Sequence, residues 1–174
     1  MISFFEKIID VLDEINIPFM LSGSVAMGIY VLPRATRDFD FIVHLEPINV
    51  GAFVEQFKVG YYCDEDAVKD AIAHKSIFNI IDHESGYKAD FVVLKDEAFR
   101  QEEFKRRHPV ELFGKKIYIV TVEDLLISKL IWIQDIQSAI QIEDIKQLAN
   151  VKEIDMVYIK NWTKQLKLNT FDII

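Results

Sequence analysis

Three features of the sequence predict an α+β fold, in which a mixed β-sheet core is flanked by helices and followed by a helical C-terminal third. β-rich runs with period-two alternation fall between residues 19 and 120, and Pro and Gly punctuate them. Apolar residues at helical spacing occur before these runs and between them. Beyond Thr121 the strand signal disappears and only helical patterns remain. At 174 residues the chain supports one well-buried core. The expected organisation is an α/β core over residues 1–120, with a helical region over 121–174 packed on it as one unit.

The elements follow in order. Phe4, Phe5, Ile8, Ile9, Leu12 and Ile15 recur at helical intervals behind Ser3 and Glu6, whose spacing fits a capping box. Pro18 closes that helix, and Phe19, Met20 and Leu21 read as a buried strand that runs into Ser22, Gly23 and Ser24. A short helix is expected over residues 25–31. Residues 38–44 alternate as a half-buried strand that Pro47 interrupts, and Asn49 is the expected cap of a following helix. Residues 77–81 and 87–94 read as strands joined by a polar hairpin connection. Residues 110–113 and 116–120 read as a second hairpin turning at Gly114. Thr121 with Asp124 caps a helix rich in Leu and Ile, and two more helices are expected near residues 141–150 and 154–166.

Half of the residues are apolar and the formal charge is −8, so the chain is globular and its overall field does not favour a nucleic-acid backbone. The basic run Lys105, Arg106, Arg107 and His108 reads as a solvated surface. Cys63 is the only cysteine, which excludes an internal disulfide and points to a reducing compartment. With no secretory signal and no apolar run near the ~20 residues that span a bilayer, a cytoplasmic protein without a membrane is expected.

The chemistry concentrates in residues 21–41, where one strand delivers a Gly-Ser turn and the next delivers two aspartates. Gly23 leaves room for a phosphate to approach the backbone, and Ser24 adds a hydroxyl at a helix start whose amides favour anions. The same pair also suits a helix-capping turn. Alternation along the strand sends Asp38 and Asp40 to one face and Phe39 and Phe41 to the core. Two adjacent carboxylates repel unless a cation lies between them, and Mg²⁺ is the hard cation that prefers oxygen.

With these residues in hand, the chain resembles the nucleotidyltransferase superfold, the DNA polymerase β-like group. Its pattern is a hydrophobic residue, Gly-Ser, a spacer that residues 25–37 supply here, and an Asp-x-Asp strand. Asp90, in Lys88-Ala-Asp-Phe-Val-Val, matches the third carboxylate that this group carries on a neighbouring strand, although a local ion pair with Lys88 also accounts for it. The Arg34-Ala-Thr36-Arg37 lead-in, the Thr121-Val-Glu-Asp-Leu-Leu helix with Lys129, and Ile142-Glu-Asp144-Ile look like the bacterial branch related to abortive-infection toxins. That branch carries an Arg-x-x-Asp-like arrangement where this chain has Ser138, Ala139, Ile140 and Gln141.

The resemblance implies an enzyme that moves a nucleoside monophosphate from a nucleoside triphosphate to a hydroxyl acceptor. Asp38, Asp40 and Asp90 would be the catalytic, Mg²⁺-holding carboxylates, with room for two ions. Gly23, Ser24, Arg34, Thr36, Arg37, Lys129 and Asp144 would serve the nucleotide. Arg34 or Arg37 neutralises the triphosphate or pairs with nearby acids, and Lys129 reaches the phosphates or extends its ammonium from an apolar stripe. A small molecule, tRNA and a protein all remain open as the acceptor. A non-catalytic nucleotide-binding module with an antitoxin partner is the alternative.

Overall fold

The computed structural model describes residues 1–135 and 138–174. Helix α1 (Ile2–Glu14) precedes strand β1 (Phe19–Ser22), helix α2 (Gly23–Tyr30) and strand β2 (Asp38–Val43). Helix α3 (Val50–Glu55), strand β3 (Tyr61–Tyr62) and helix α4 (Glu65–His74) lead to the hairpin strands β4 (Ile77–Asp82) and β5 (Lys88–Val93). Helix α5 (Ala98–Arg106) and a second hairpin, β6 (His108–Leu112) and β7 (Lys115–Ile119), complete the sheet. Helices α6 (Val122–Trp132), α7 (Ala139–Ala149) and α8 (Met156–Gln165) close the chain.

The seven strands form one sheet in the order β3-β4-β5-β2-β1-β7-β6. β2 runs parallel to β5 and β1 parallel to β7, while the other neighbours are antiparallel, so the sheet is mixed as expected. The fold is therefore the predicted α+β arrangement with a helical C-terminal third. Among the described residues no helix is long and apolar enough to cross a membrane.

One face of the sheet is a phenylalanine layer. Phe39 and Phe41 of β2 meet Phe5 of α1 at ring separations of 5.2 and 6.2 Å. Phe41 then stacks on Phe91 at 5.4 Å, and Phe91 on Phe78 at 5.0 Å. Alternation places Asp38 and Asp40 on the opposite face, so burial of the apolar residues fixes where the acids emerge.

Several local expectations change. α1 begins at Ile2 with Met1 as its cap position, so Ser3 lies inside the first turn and makes no capping bond. Asn49 makes no side-chain cap for α3, because its Oδ1 accepts from the Glu46 amide instead. β3, α4 and α5 were not expected. The run at 105–108 is not a free basic surface: Arg106 Nε donates to buried Asp124 at 2.9 Å and its guanidinium lies 3.8 Å from the Tyr158 ring centre. Arg107 lies over the Phe104 ring at 4.1 Å.

Candidate functional site

The β2–β5 register sets Asp38 opposite Lys88 and Asp40 opposite Asp90. β1 brings Ser22 opposite Asp40 from one side, and β4 brings Asn79 opposite Asp90 from the other. Paired residues in neighbouring strands share a face, so Ser22, Asp40, Asp90 and Asn79 form one polar row across four strands, directly beside the Gly23 turn.

Gly23 has φ +63°, and a Cβ there would come within 2.8 Å of Asp40 Cβ and closer still to its carboxylate. The glycine is therefore required twice over, by its backbone conformation and by the seating of Asp40 against it. Burial pushes the Asp40 carboxyl above its ordinary range, and the charges of Asp90 and Asp38 add to this. Lys129 and the backbone amide of Ser24 oppose it.

Arg34, Ser24, Lys129 and Asp144 are brought into one network. Arg34 Nη2 donates to Ser24 Oγ at 2.6 Å and reaches Asp144 Oδ2 at 3.4 Å. Lys129 Nζ donates to the same Asp144 oxygen at 2.8 Å, with the Asp144 side chain only 5% exposed. Lys129 thus ties α6 to α7 while its charge reaches Asp40. Arg37 and Thr36 do not join this network. Arg37 is exposed, and Thr36 Oγ1 accepts from the Asp38 amide at 3.3 Å, which shapes the entry to β2.

Ser138, in the segment that departs from the toxin-like pattern, accepts from the Gln141 amide and caps α7. Ala139 and Ile140 then line an open cleft of about 450 Å³, facing Met27 and Leu32, with Ser24, Arg34 and Asp144 at its polar end. Ser24 lines this cleft, and its backbone amide hydrogen-bonds Asp40 of the carboxylate site.

Asn79 is a site neighbour that sequence reasoning did not assign, whereas the ion pair that the sequence offered for Asp90 with Lys88 is present. Lys88 Nζ lies 2.8 Å from Asp90 Oδ2. The hairpin pairing of residues 77–81 with 87–94 was the available signal, because registering it puts Asn79 beside Asp90. Among the described residues no three His, Cys, Asp or Glu side chains are grouped as a ready-made metal cluster. The donor set nevertheless fits a hard divalent cation. It is made only of carboxylate oxygens on one face, and burial, followed by repulsion from Asp90 and Asp38, disfavours the ionised form of the most buried member.

No family model matches the chain, and no curated protein matches it. Solved structures do. The antibiotic-resistance factor ANT(2'')-Ia, in complex with adenylyl-2''-tobramycin, is 12% identical over 95% of this chain and 96% of its own, with a TM-score of 0.62. The lincosamide antibiotic adenylyltransferase LnuA, lincomycin-bound, is 16% identical over 86% of this chain and 95% of its own, at 0.56. JHP933 from Helicobacter pylori is 18% identical over 95% of this chain and 73% of its own, at 0.51. Similarity at this level of identity speaks for architecture, and together with the strand order and the Gly-Ser turn it shows that the chain has the nucleotidyltransferase fold.

Proposed function

We propose that this protein is a Mg²⁺-dependent nucleotidyltransferase that moves a nucleoside monophosphate from a nucleoside triphosphate to a hydroxyl acceptor. The observation that carries this reading is the in-register pairing of Asp40 with Asp90 on one face, beside the left-handed Gly23 turn and the Ser24 hydroxyl. Asp38, Asp40 and Asp90 would hold Mg²⁺, whose charge neutralises phosphate oxygens and eases departure of pyrophosphate. Ser24 and the first amides of α2 would bind the terminal phosphates, with Arg34 beside Ser24 adding a positive charge.

The acceptor hydroxyl oxygen attacks the α-phosphorus in line. A new P–O bond forms as the bond to the bridging oxygen breaks, and pyrophosphate leaves with the electron pair. Asp90 would activate that hydroxyl by holding the metal or as the base that takes its proton. The apolar cleft beside Ser24 and Arg34 suits a small-molecule acceptor, and ANT(2'')-Ia and LnuA are themselves proteins of antibiotic modification.

Titration calorimetry with each of the four nucleoside triphosphates tests the reading. At least one is expected to bind with Mg²⁺ present and to lose most of its affinity with chelator, and Asp40→Asn is expected to remove the metal-dependent part. Equal affinity with and without chelator, or no binding of any of the four, overturns it.

A further inference from the structure

We propose that Lys88 is a tethered cation of the carboxylate site, competing with a divalent metal for Asp90 and so setting how tightly that metal is held. The inference rests on the reading of Asp38, Asp40 and Asp90 as a cation site and adds a residue to it.

Lys88 and Asp90 are two apart on β5, so their side chains share a face, and the parallel register puts Asp38 beside Lys88 and Asp40 beside Asp90. The four residues therefore occupy a compact rectangle on one face of two strands. Lys88 Nζ donates to Asp90 Oδ2 at 2.8 Å, within the range of a charge-assisted hydrogen bond, and both side chains are only partly exposed. Asp90 thus spends one of its oxygens on an ammonium at the place where it would face a metal.

The charges give this contact a consequence. Three carboxylates and one ammonium leave two negative charges, which a single divalent ion balances. Without Lys88 three negative charges remain, and the site attracts cations more strongly. Lys88 would keep the metal-free site from excessive self-repulsion and would weaken its grip on the ion, so that metal arrives and leaves with the triphosphate.

The test is direct binding of Mn²⁺, followed by electron paramagnetic resonance without nucleotide, to the wild type, Lys88→Met, Lys88→Arg and Asp40→Asn. Lys88→Met is expected to bind Mn²⁺ about 5-fold more tightly than the wild type, the scale of one partly exposed ion pair. Its melting temperature in chelator should be lower than the wild type's, with the difference recovered by Mn²⁺. Lys88→Arg keeps the charge and should retain wild-type affinity. Circular dichroism checks folding, and Lys88→Gln replaces Lys88→Met if that variant does not fold.

Equal or weaker Mn²⁺ binding in Lys88→Met, with binding lost in Asp40→Asn, overturns the role of Lys88 while leaving the metal site standing. Tighter binding in Lys88→Arg as well removes charge as the cause and also overturns it. Absence of Mn²⁺ binding in all four proteins overturns the metal reading and this proposal together.

Discussion

At Asp40, burial works against the charge that a metal site needs. The folded-state carboxyl is held above its ordinary range, first by burial and then by Asp90, so protonation favours the native state. The ionised group therefore destabilises the metal-free protein fully above its folded pKa, and this penalty shrinks as pH falls below that value and is gone below the unfolded one. Asp40→Asn should accordingly melt at or above the wild-type temperature near neutral pH, with the gap closing toward about pH 4, while transfer activity is lost. Thermal unfolding of both proteins across that range checks it, and a clear fall in melting temperature for the variant would assign Asp40 to a structural pair instead.

Lys129 behaves differently, because its partner is buried. The stem of this side chain was expected to snorkel or to carry its ammonium to phosphate, and it in fact ends 2.8 Å from Asp144. Lys129→Met would leave Asp144 with Arg34 alone at 3.4 Å, and should cost about 1–3 kcal/mol of stability. Asp144→Leu added to that variant should recover part of the loss, since the stranded charge is gone. Urea denaturation of the two variants measures both effects, and an unchanged midpoint for Lys129→Met would show that the pair contributes nothing.

At the scale of elements, the C-terminal helices dock through a buried acid rather than through apolar contact alone. Asp124 at the start of α6 accepts from Thr121 Oγ1 at 2.6 Å, from Arg106 Nε of α5 at 2.9 Å and from the Tyr158 hydroxyl of α8 at 2.6 Å. One carboxylate therefore joins α5, α6 and α8. Burial and the bond to Asp124 raise the Tyr158 hydroxyl well above its ordinary range, so it stays a donor throughout the pH range in which proteins are handled. Tyr158→Phe should destabilise the protein by about 1–3 kcal/mol, because the buried carboxylate loses a short bond and gains no water. Chemical denaturation should show this as a lower midpoint without a change in slope.

The elements that sequence patterning missed share a physical cause. α5 carries Arg100, Gln101, Glu102 and Glu103 between Phe99 and Phe104, with Lys105 and Arg106 after them, and Glu103 is buried only because Arg100 and Ser128 hydrogen-bond it. No apolar stripe marks such a helix. α4 is similarly short of apolar positions, with Val68, Ala71 and Ile72 as its buried residues. β2 was legible because alternation in residues 38–43 follows from one face packing on phenylalanines.

For the molecule as a whole, the acidic composition and the order of the strands and helices other than β3, α4 and α5 were readable in the sequence. So were the Gly-Ser turn and the sidedness of Asp38 and Asp40. Each depends on spacing along a single segment, and the period of a strand or helix acts locally. The Lys88–Asp90 pair is local to β5 and was open from the sequence, whereas the tertiary structure alone decided that Asp90 pairs with Asp40 and that Asn79 and Ser22 extend the same row. It also decided that Arg34 and Lys129 converge on Asp144 from 110 residues away in the first case and 15 in the second. Register between strands and packing between helices are set by burial of the whole core. No local pattern records which side chains that burial will bring within hydrogen-bonding distance.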